Sequence, residues 1–253
     1  MTSTEHIVVT DDGGIRTIRM NRPDKKNALT QAMYDAMTAA LKNASQDAAI
    51  KCIVFAGVPG AFSAGNDLQD FLKIAAAPQD GGKRPVGDFL PALALCEKPM
   101  VAAVSGIAVG VGTTMLFHCD YVVASSEARF STPFTSLGLV PEAASSLVGP
   151  RRMGHARAFS LLVMGRPLDA VQAKEAGLVN AVVAPDQVDA EAMKAAREIA
   201  ALPAGAVAIS RRLLRGTPQE AIDRIDEETM HFTERLKSPE ARQAFETFLT
   251  RKR

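Results

Sequence analysis

Length, composition and charge place the chain in a broad class and exclude others. Its 253 residues, 47% of them hydrophobic, are enough for a large core that needs no disulfide or metal support. The 29 Lys and Arg residues nearly balance the 28 Asp and Glu residues, and the resulting formal charge of +1 does not predict a nucleic-acid partner.

The cysteines and the first residues indicate a reducing compartment. Cys52, Cys96 and Cys119 lie far apart inside apolar runs, where a thiol usually packs as a small hydrophobic group. Residues 1–10 lack the basic and apolar order of a signal peptide, and no apolar run approaches the length of a membrane-spanning helix. We therefore expect a cytoplasmic protein without a membrane partner.

The chain opens with strand patterns followed by a helix. Residues 6–10 and 15–20 have strand character around an Asp/Gly turn, which predicts a β-hairpin. Thr30 can cap a helix whose apolar face includes Met33 and Met37. The first unit is thus expected to be strand, strand, helix.

The middle of the chain continues the alternation. Residues 52–56 predict a strand that leads into a small-residue loop and a helix beginning near Asn66 or Asp67. Residues 75–87, rich in Gly and Pro, are expected to form a mobile loop. The remaining predictions are a strand at 100–104, a Gly-rich turn at 106–112, a helix from 113, and strands at 121–124, 128–131 and 179–183.

After residue 183 the strand pattern stops. Helices are predicted at 186–202, 204–215, 219–236 and 239–249. We place a boundary near residue 195, between an α/β part (1–195) and an all-α part (196–253). Because the second part has no obvious closed core, we expect its helices to pack on another subunit; folding back on their own chain is the alternative.

Two small-residue loops each lie between a predicted strand and a predicted helix. They are residues 62–68, with the sequence FSAGNDL, and residues 106–112, with the sequence GIAVGVG. Backbone N–H groups at such helix N-termini suit an oxyanion hole, where fixed donors meet developing negative charge. Either loop alone is equally compatible with a tight turn that only packs closely.

Four segments in order resemble the enoyl-CoA hydratase/isomerase (crotonase) superfamily. They are Asn21-Arg22-Pro23 with Asn27-Ala28-Leu29, the loop 62–68, Lys98-Pro99, and the turn 106–112. The resemblance implies an α/β fold, a spiral of repeated ββα units with a C-terminal helical trimerisation region. It also implies an acyl-CoA thioester substrate, no further cofactor, and a homotrimer or dimer of trimers.

The resemblance further implies the site residues. In similar enzymes two backbone N–H groups hold the thioester oxygen, and here these belong to Ala64 and Val111. The family usually has Gly where Val111 stands, but the donor is main chain and any residue except proline keeps it. The substrate contacts implied by the same register are Lys25, Ala28, Ser63, Asp67, Leu68, Gly110, Phe134 and Leu139.

Carboxylates separate the reactions within the family. A hydratase needs two of them to activate water, but its pattern falls on Thr114 and Phe134 here. Glu142, after Pro141, resembles the single base of the Δ3,Δ2-enoyl-CoA isomerase branch, which takes a proton from C2 and returns it to C4. We therefore expect an isomerase of fatty acid metabolism acting in β-oxidation. A hydratase or another crotonase reaction, and a non-catalytic acyl-CoA-binding module, stay open as alternatives.

The charged groups can also be explained without a functional role. Apolar neighbours would raise the pKa of Glu142, whereas a helix that begins after it would lower that pKa. Without the family resemblance an ordinary first-turn glutamate would be favoured, and the resemblance reverses that preference. Lys25, Lys26 and residues 251–253 could contact CoA phosphates, although exposed charges are usually only solvated. His118 and His155 lack metal-site spacing, so no metal is predicted.

Overall fold

The computed structural model describes residues 4–67, 70 and 85–251, and its strands within this part form two sheets. The strands are β1 Ile7–Asp12, β2 Ile15–Met20, β3 Cys52–Ala56, β4 Ala61–Ser63, β5 Met100–Val104, β6 Ile107–Val109, β7 Tyr121–Ser125, β8 Arg129–Ser131, β9 Leu168–Asp169 and β10 Ala181–Val183.

The described helices connect these strands and then fill the C-terminal quarter. They are α1 Gln31–Gln46, α2 Pro85–Leu95, α3 Val111–Thr114, α4 Ser145–Met153, α5 His155–Ala158, α6 Ala170–Glu175, α7 Val188–Ala201, α8 Ala204–Arg215, α9 Pro218–Leu236 and α10 Pro239–Arg251. Shorter helical turns lie at Pro23–Lys25, Met115–His118, Thr135–Leu137, Phe159–Val163 and Pro185–Gln187.

The larger sheet has the order β1-β2-β3-β5-β7-β10. β1 and β2 form the predicted antiparallel hairpin, whose turn contains Gly13 and Gly14 with positive φ, and the other pairs are parallel. β3 and β5 are buried along their whole length, as expected for parallel strands covered on both faces. α1 begins after Thr30, whose side chain accepts from the Met33 N–H as predicted.

The smaller sheet has the order β4-β6-β8-β9, and its strands show that the chain repeats a pair of strands, one in each sheet. β3, β5 and β7 of the larger sheet are each followed directly by a short strand of the smaller one. The corners are tight: a Cβ on Gly106 would lie 2.0 Å from the Gly60 carbonyl oxygen, and one on Gly57 would lie 2.3 Å from that of Ala61. Only glycine fits at these corners, so the repeated strand pair depends on both glycines.

The expected boundary near residue 195 does not coincide with a break in the structure. α7 runs through it, and its buried Val188, Ala192, Ala196 and Ala200 form one stripe at helical spacing. This stripe packs on the outer face of β3, β5 and β7. α7 is therefore part of the sheet layer, and the prediction missed this because its stripe is mostly alanine.

The last three helices also contact their own chain. α9 packs against α2 and α4, and Arg211 of α8 is buried with hydrogen bonds to Asp120 (2.7 Å) and the Cys96 carbonyl (2.6 Å). α9 thus follows the alternative in which these helices fold back on their own chain, and packing on another subunit stays a prediction. α8 does expose Leu213 and Leu214, at 77% and 88% of their surface.

Local predictions in the middle of the chain need two corrections. The Gly-rich turn 106–112 contains strand β6, and α2 begins at Pro85, inside the segment expected to be a loop. The rest of that loop, 75–84, lies outside the described residues, as does most of the helix expected after Asp67, of which only Asp70 is described, in helical conformation. No helix in the described ranges is long and apolar enough to cross a membrane.

Candidate active site

A largely apolar cavity of about 220 Å³ lies between the first small-residue loop, α2 and α9. Its apolar wall includes Leu29, Val86, Leu90, Phe232 and Leu236. Its polar lining includes Asn66, Asp67 and Glu142, together with Asp70 and Asp88. Such a cleft, apolar with a few polar groups, is the usual form of a small-molecule site.

Glu142 is the unusual group in this cavity. It is 7% exposed, and its Oε1 atom has no hydrogen-bond partner among the described residues. Burial, with a smaller effect from the negative charge of Glu228, raises the pKa of Glu142 to about 8. A carboxyl group with this pKa can exchange a proton near neutral pH.

The turn after Glu142 fixes where its side chain points. Ala143 and Ala144 have φ of 63° and 53°, left-handed values that cost a residue with a Cβ about 1–2 kcal/mol each. His118 donates from Nε2 to the Ala143 carbonyl at 2.7 Å, and the Ala144 N–H donates to Glu228 at 2.7 Å. Burial lowers the pKa of His118 to about 4, so this histidine is neutral and its Nε2 carries the proton.

The two small-residue loops touch each other. β4 and β6 are parallel neighbours, so the segments that follow them emerge at one edge of the sheet. A Cβ on Gly65 would lie 2.8 Å from the Val109 carbonyl oxygen, and one on Gly112 would lie 2.9 Å from the Ser63 Cβ. Glycine at both positions allows the loops to approach within contact distance.

The prediction for the first backbone donor is wrong at Ala64. Its N–H already donates to the Lys26 carbonyl at 2.9 Å. On one side of this loop, the Leu29 N–H donates to the Gly65 carbonyl (2.7 Å), and the Leu29 carbonyl accepts from the Asp67 N–H (2.9 Å). Asn66 lies between these bonds, so its N–H points to the opposite side, and Asn66 lines the cavity.

Val111 has the setting expected of the second donor. It is the first residue of α3, and the N–H groups of a first helical turn have no partner inside the helix. Within the described residues its N–H has no recorded acceptor, whereas the Thr113 and Thr114 N–H groups both donate to Gly110. Asn66 and Val111 thus each have an N–H without an acceptor among the described residues, and of the two only Asn66 is among the residues that line the cavity.

The comparisons with known proteins agree with this geometry. The sequence profile of the family described as "Enoyl-CoA hydratase/isomerase" matches residues 10–253. The chain belongs to this family. The crystal structure of an enoyl-CoA hydratase/isomerase from Pseudoalteromonas atlantica T6c has a TM-score of 0.93 at 40% identity, covering 98% of each chain. The expected crotonase fold is thus confirmed.

Two relatives in this family have names that differ in reaction. "Enoyl-CoA delta isomerase 2" of Rattus norvegicus is 38% identical over 250 residues, which are 97% of this chain but 64% of the rat protein. "Probable enoyl-CoA hydratase" of Rhizobium meliloti (strain 1021) is 39% identical over 211 residues, 81% of this chain and 80% of that protein. The family is therefore established, and the reaction has to be argued from the site.

Two residues expected to bind substrate, Ser63 and Asp67, make hydrogen bonds or ion pairs that support the first loop. The Ser63 hydroxyl donates to the Asn27 carbonyl (2.9 Å) and accepts from the Gly65 N–H (3.1 Å). Asp67 lines the cavity, forms an ion pair with Arg22 (2.7 Å) and accepts from the Asp70 N–H (3.3 Å), which is the helix-capping role considered from sequence.

The other predicted contacts lie elsewhere or outside the described chain. Lys25 is exposed, Phe134 and Leu139 are buried, and the position of a Cβ on Gly110 is 3.9 Å from the Phe134 ring. Six of the predicted substrate contacts that the structure describes do not line the cavity, namely Lys25, Ala28, Ser63, Gly110, Phe134 and Leu139. Leu68 lies outside the described residues.

Two buried residues beside Glu142, Tyr34 and Glu228, were not predicted from the sequence. The Tyr34 hydroxyl donates to the Asn66 side-chain oxygen at 2.6 Å, and burial raises the pKa of Tyr34 well above its usual value, with a further contribution from the charge of Glu142. Glu228, 6% exposed, contacts the turn after Glu142. A lone glutamate on the apolar face of α9 was the available signal for Glu228, whereas Tyr34 resembles an ordinary core residue of α1.

Proposed function

We propose that this protein moves the double bond of an enoyl-CoA thioester from the 3 to the 2 position. The observation that carries the proposal is Glu142, the carboxylate of the described cavity lining that has a buried oxygen without a partner. A single base of this kind suffices for double-bond migration. The name of the rat relative, a delta isomerase, supports the same reaction.

The proposed reaction uses two parts of the site. Ionised Glu142 takes the proton from C2, the C2–H electron pair moves into the conjugated system, and negative charge develops on the thioester oxygen. The N–H groups of Asn66 and Val111 stabilise that charge as an oxyanion hole. The carboxylic acid of Glu142 then returns the proton to C4, which leaves the double bond between C2 and C3.

A pKa near 8 suits both halves of this proton transfer. A catalytic group is most effective when its pKa lies near the working pH, because it must accept and then return the same proton. The proposed reaction needs no cofactor beyond the CoA of the substrate.

The hydratase alternative has less support from the geometry. Thr114 and Phe134, which occupy the two hydratase positions of the sequence pattern, are both buried and neither carries a carboxylate. Glu228 does not replace them, because both of its oxygens already accept hydrogen bonds. The similarity to a probable hydratase keeps this alternative as an outcome of the test.

The test is a parallel assay with a matched 3-enoyl-CoA and 2-enoyl-CoA. We expect double-bond migration from the first substrate and little water addition to the second. Glu142→Gln should retain thioester binding and lose about 10²- to 10⁴-fold in turnover, the range of acid–base residues. Glu127→Gln, at an exposed position, is the matched control.

Other outcomes would replace the proposal. Predominant water addition would indicate a hydratase, and thioester binding without turnover of either substrate would indicate a binding module. Full activity of Glu142→Gln would remove this residue from the mechanism.

We also propose assembly into a homotrimer or dimer of trimers. The exposed Leu213 and Leu214 of α8 give this chain an apolar surface that a partner subunit could cover. Light scattering should give a mass of three or six chains, and a stable monomer would contradict the proposal.

A further inference from the structure

We propose that Glu228 is a positioning residue that holds the turn carrying Glu142 and so directs the Glu142 carboxyl group into the cavity. The inference rests on the proposed function of Glu142 as the base. Glu228 belongs to α9, and the next residue, Thr229, lines the cavity. The site thus depends on a side chain that lies more than 80 residues further along the chain.

The contacts of Glu228 are all with the turn and the start of α4. Its Oε2 accepts from the Ala144 N–H at 2.7 Å, and its Oε1 accepts from the Ser146 N–H at 3.0 Å and from the Ser146 hydroxyl. Arg224, one turn earlier in α9, donates to the same hydroxyl at 3.2 Å. A carboxylate that accepts from three donors acts as an anchor for the backbone.

The turn needs such an anchor because of its conformation. Ala143 and Ala144 are both left-handed, an arrangement that residues with a Cβ adopt only when their surroundings impose it. His118 holds the carbonyl of Ala143, and Glu228 holds the N–H of Ala144. If the hydrogen bond between Glu228 and the Ala144 N–H is lost, the turn can relax. The side chain of Glu142, which directly precedes the turn, then points in a different direction.

A second role as a base does not fit Glu228. It is not among the residues that line the cavity, and its oxygens are engaged with backbone and hydroxyl donors. Burial raises its pKa, while the hydrogen bonds from Ser146 and Ala144 and the charge of Arg224 oppose that rise. Glu228 therefore acts through Glu142.

The charge of Glu228 gives the contact a second, measurable consequence. Together with burial, it raises the pKa of Glu142. The other ionisable groups around Glu142, its turn and Glu228 are Tyr34 of α1, His118, Arg224 of α9 and the cavity carboxylates Asp67, Asp70 and Asp88. Removing the Glu228 charge should leave these in place and shift the pKa of Glu142 downward.

The test compares Glu228→Gln with Asp226→Asn, an exposed carboxylate on the same helix. Turnover is measured above pH 9, where Glu142 is ionised in every variant, so that position and charge are separated. We expect Glu228→Gln to lower kcat about 10- to 100-fold with little change in KM, because glutamine offers one acceptor where two are needed. The midpoint of its pH profile should move to lower pH.

Two further variants separate positioning from loss of structure. Ser146→Ala removes one donor and keeps the charge, so it should lower kcat less and leave the pH midpoint unchanged. Adding Ala144→Gly to Glu228→Gln should restore kcat about fivefold, because glycine adopts the left-handed conformation without a Cβ penalty. Because the same glycine also stabilises the fold, kcat is compared at a temperature where thermal unfolding shows every variant to be folded, and rescue under that condition is the result expected of positioning.

Two results would overturn the proposal. One is a Glu228→Gln enzyme whose kcat and pH midpoint match those of Asp226→Asn, and the other is an effect confined to KM. A ¹³C titration of the Glu142 carboxyl group, assigned through Glu142→Gln, measures its pKa without any substrate. If the wild-type protein does not isomerise enoyl-CoA, the proposed function fails, and an unchanged Glu142 titration in Glu228→Gln separately rejects the contact.

Discussion

Replacing Glu142 by glutamine should make the protein more stable at alkaline pH. Glu142 has an ordinary pKa of 4.5, and burial raises it to about 8 in the folded protein. Between these two pH values the folded state holds a proton that the unfolded chain has released, so the free energy of unfolding falls as pH rises. The penalty is absent below pH 4.5 and complete above pH 8, and glutamine, which does not ionise, lacks it.

The size of this effect follows from the two pKa values. At about 1.4 kcal/mol per pKa unit, the destabilisation by Glu142 is below about 1 kcal/mol at pH 5 and about 3 kcal/mol at pH 7. It reaches roughly 5 kcal/mol at pH 9. The difference in unfolding free energy between Glu142→Gln and wild type should therefore grow by about 4 kcal/mol from pH 5 to pH 9.

Urea unfolding of both proteins at pH 5, 7 and 9 measures this difference. Glu228 and the other ionisable groups are present in both proteins, so most of their own titration cancels. Glu127→Gln should show a constant offset from wild type, because Glu127 is exposed. A difference between Glu142→Gln and wild type that stays constant with pH would show that Glu142 ionises as in water, and the argument from burial would be refuted.

Three further predictions concern turnover and stability. The kcat/KM for isomerisation should rise about tenfold per pH unit below pH 8 and level off above it as Glu142 ionises; a flat profile between pH 6 and 9 would contradict this base. Val111→Pro should lose about 10²- to 10³-fold in kcat because it lacks the N–H, whereas Val111→Gly keeps the donor and should stay within about tenfold. Thr114→Ala should be mild in kcat and in thermal unfolding, since the buried Thr114 hydroxyl has no partner in the described residues; a loss as large as that of Glu142→Gln would point to a hydratase-like role.

The fold was predictable where the pattern reports burial directly. The hairpin, the capped helix α1 and the buried strands β3, β5 and β7 follow from alternation, capping residues and continuous apolar runs. β6 was not predicted, because its three residues lie among glycines that were interpreted as a turn. α7 was predicted as a helix, but its packing on the sheet was not, because its alanine stripe carries a weak apolar signal.

The type of chemical group in the site could be predicted more readily than the particular residue that supplies it. Glu142 could be chosen because a carboxylate needs only the right loop and register, and it does line the cavity, whereas the role of Val111 stays a prediction. The choice between Ala64 and Asn66 depends on which N–H groups are already bonded, and Lys26 decides this from a distant turn. Long-range contacts of this kind, including that of Glu228 with Ala144, leave no local pattern in the sequence.

Two buried glutamates near one site can therefore have different roles, and the hydrogen bonds that each carboxylate accepts distinguish these roles. Glu228 accepts from backbone and hydroxyl donors, so its oxygens are committed to holding the turn. Glu142 is buried with an oxygen that has no partner, so its charged form is costly and its affinity for a proton is high. In the proposed reaction, the same burial that destabilises the folded protein at alkaline pH would make Glu142 a strong enough base to take a proton from carbon, once the proposed oxyanion hole has made that carbon acidic.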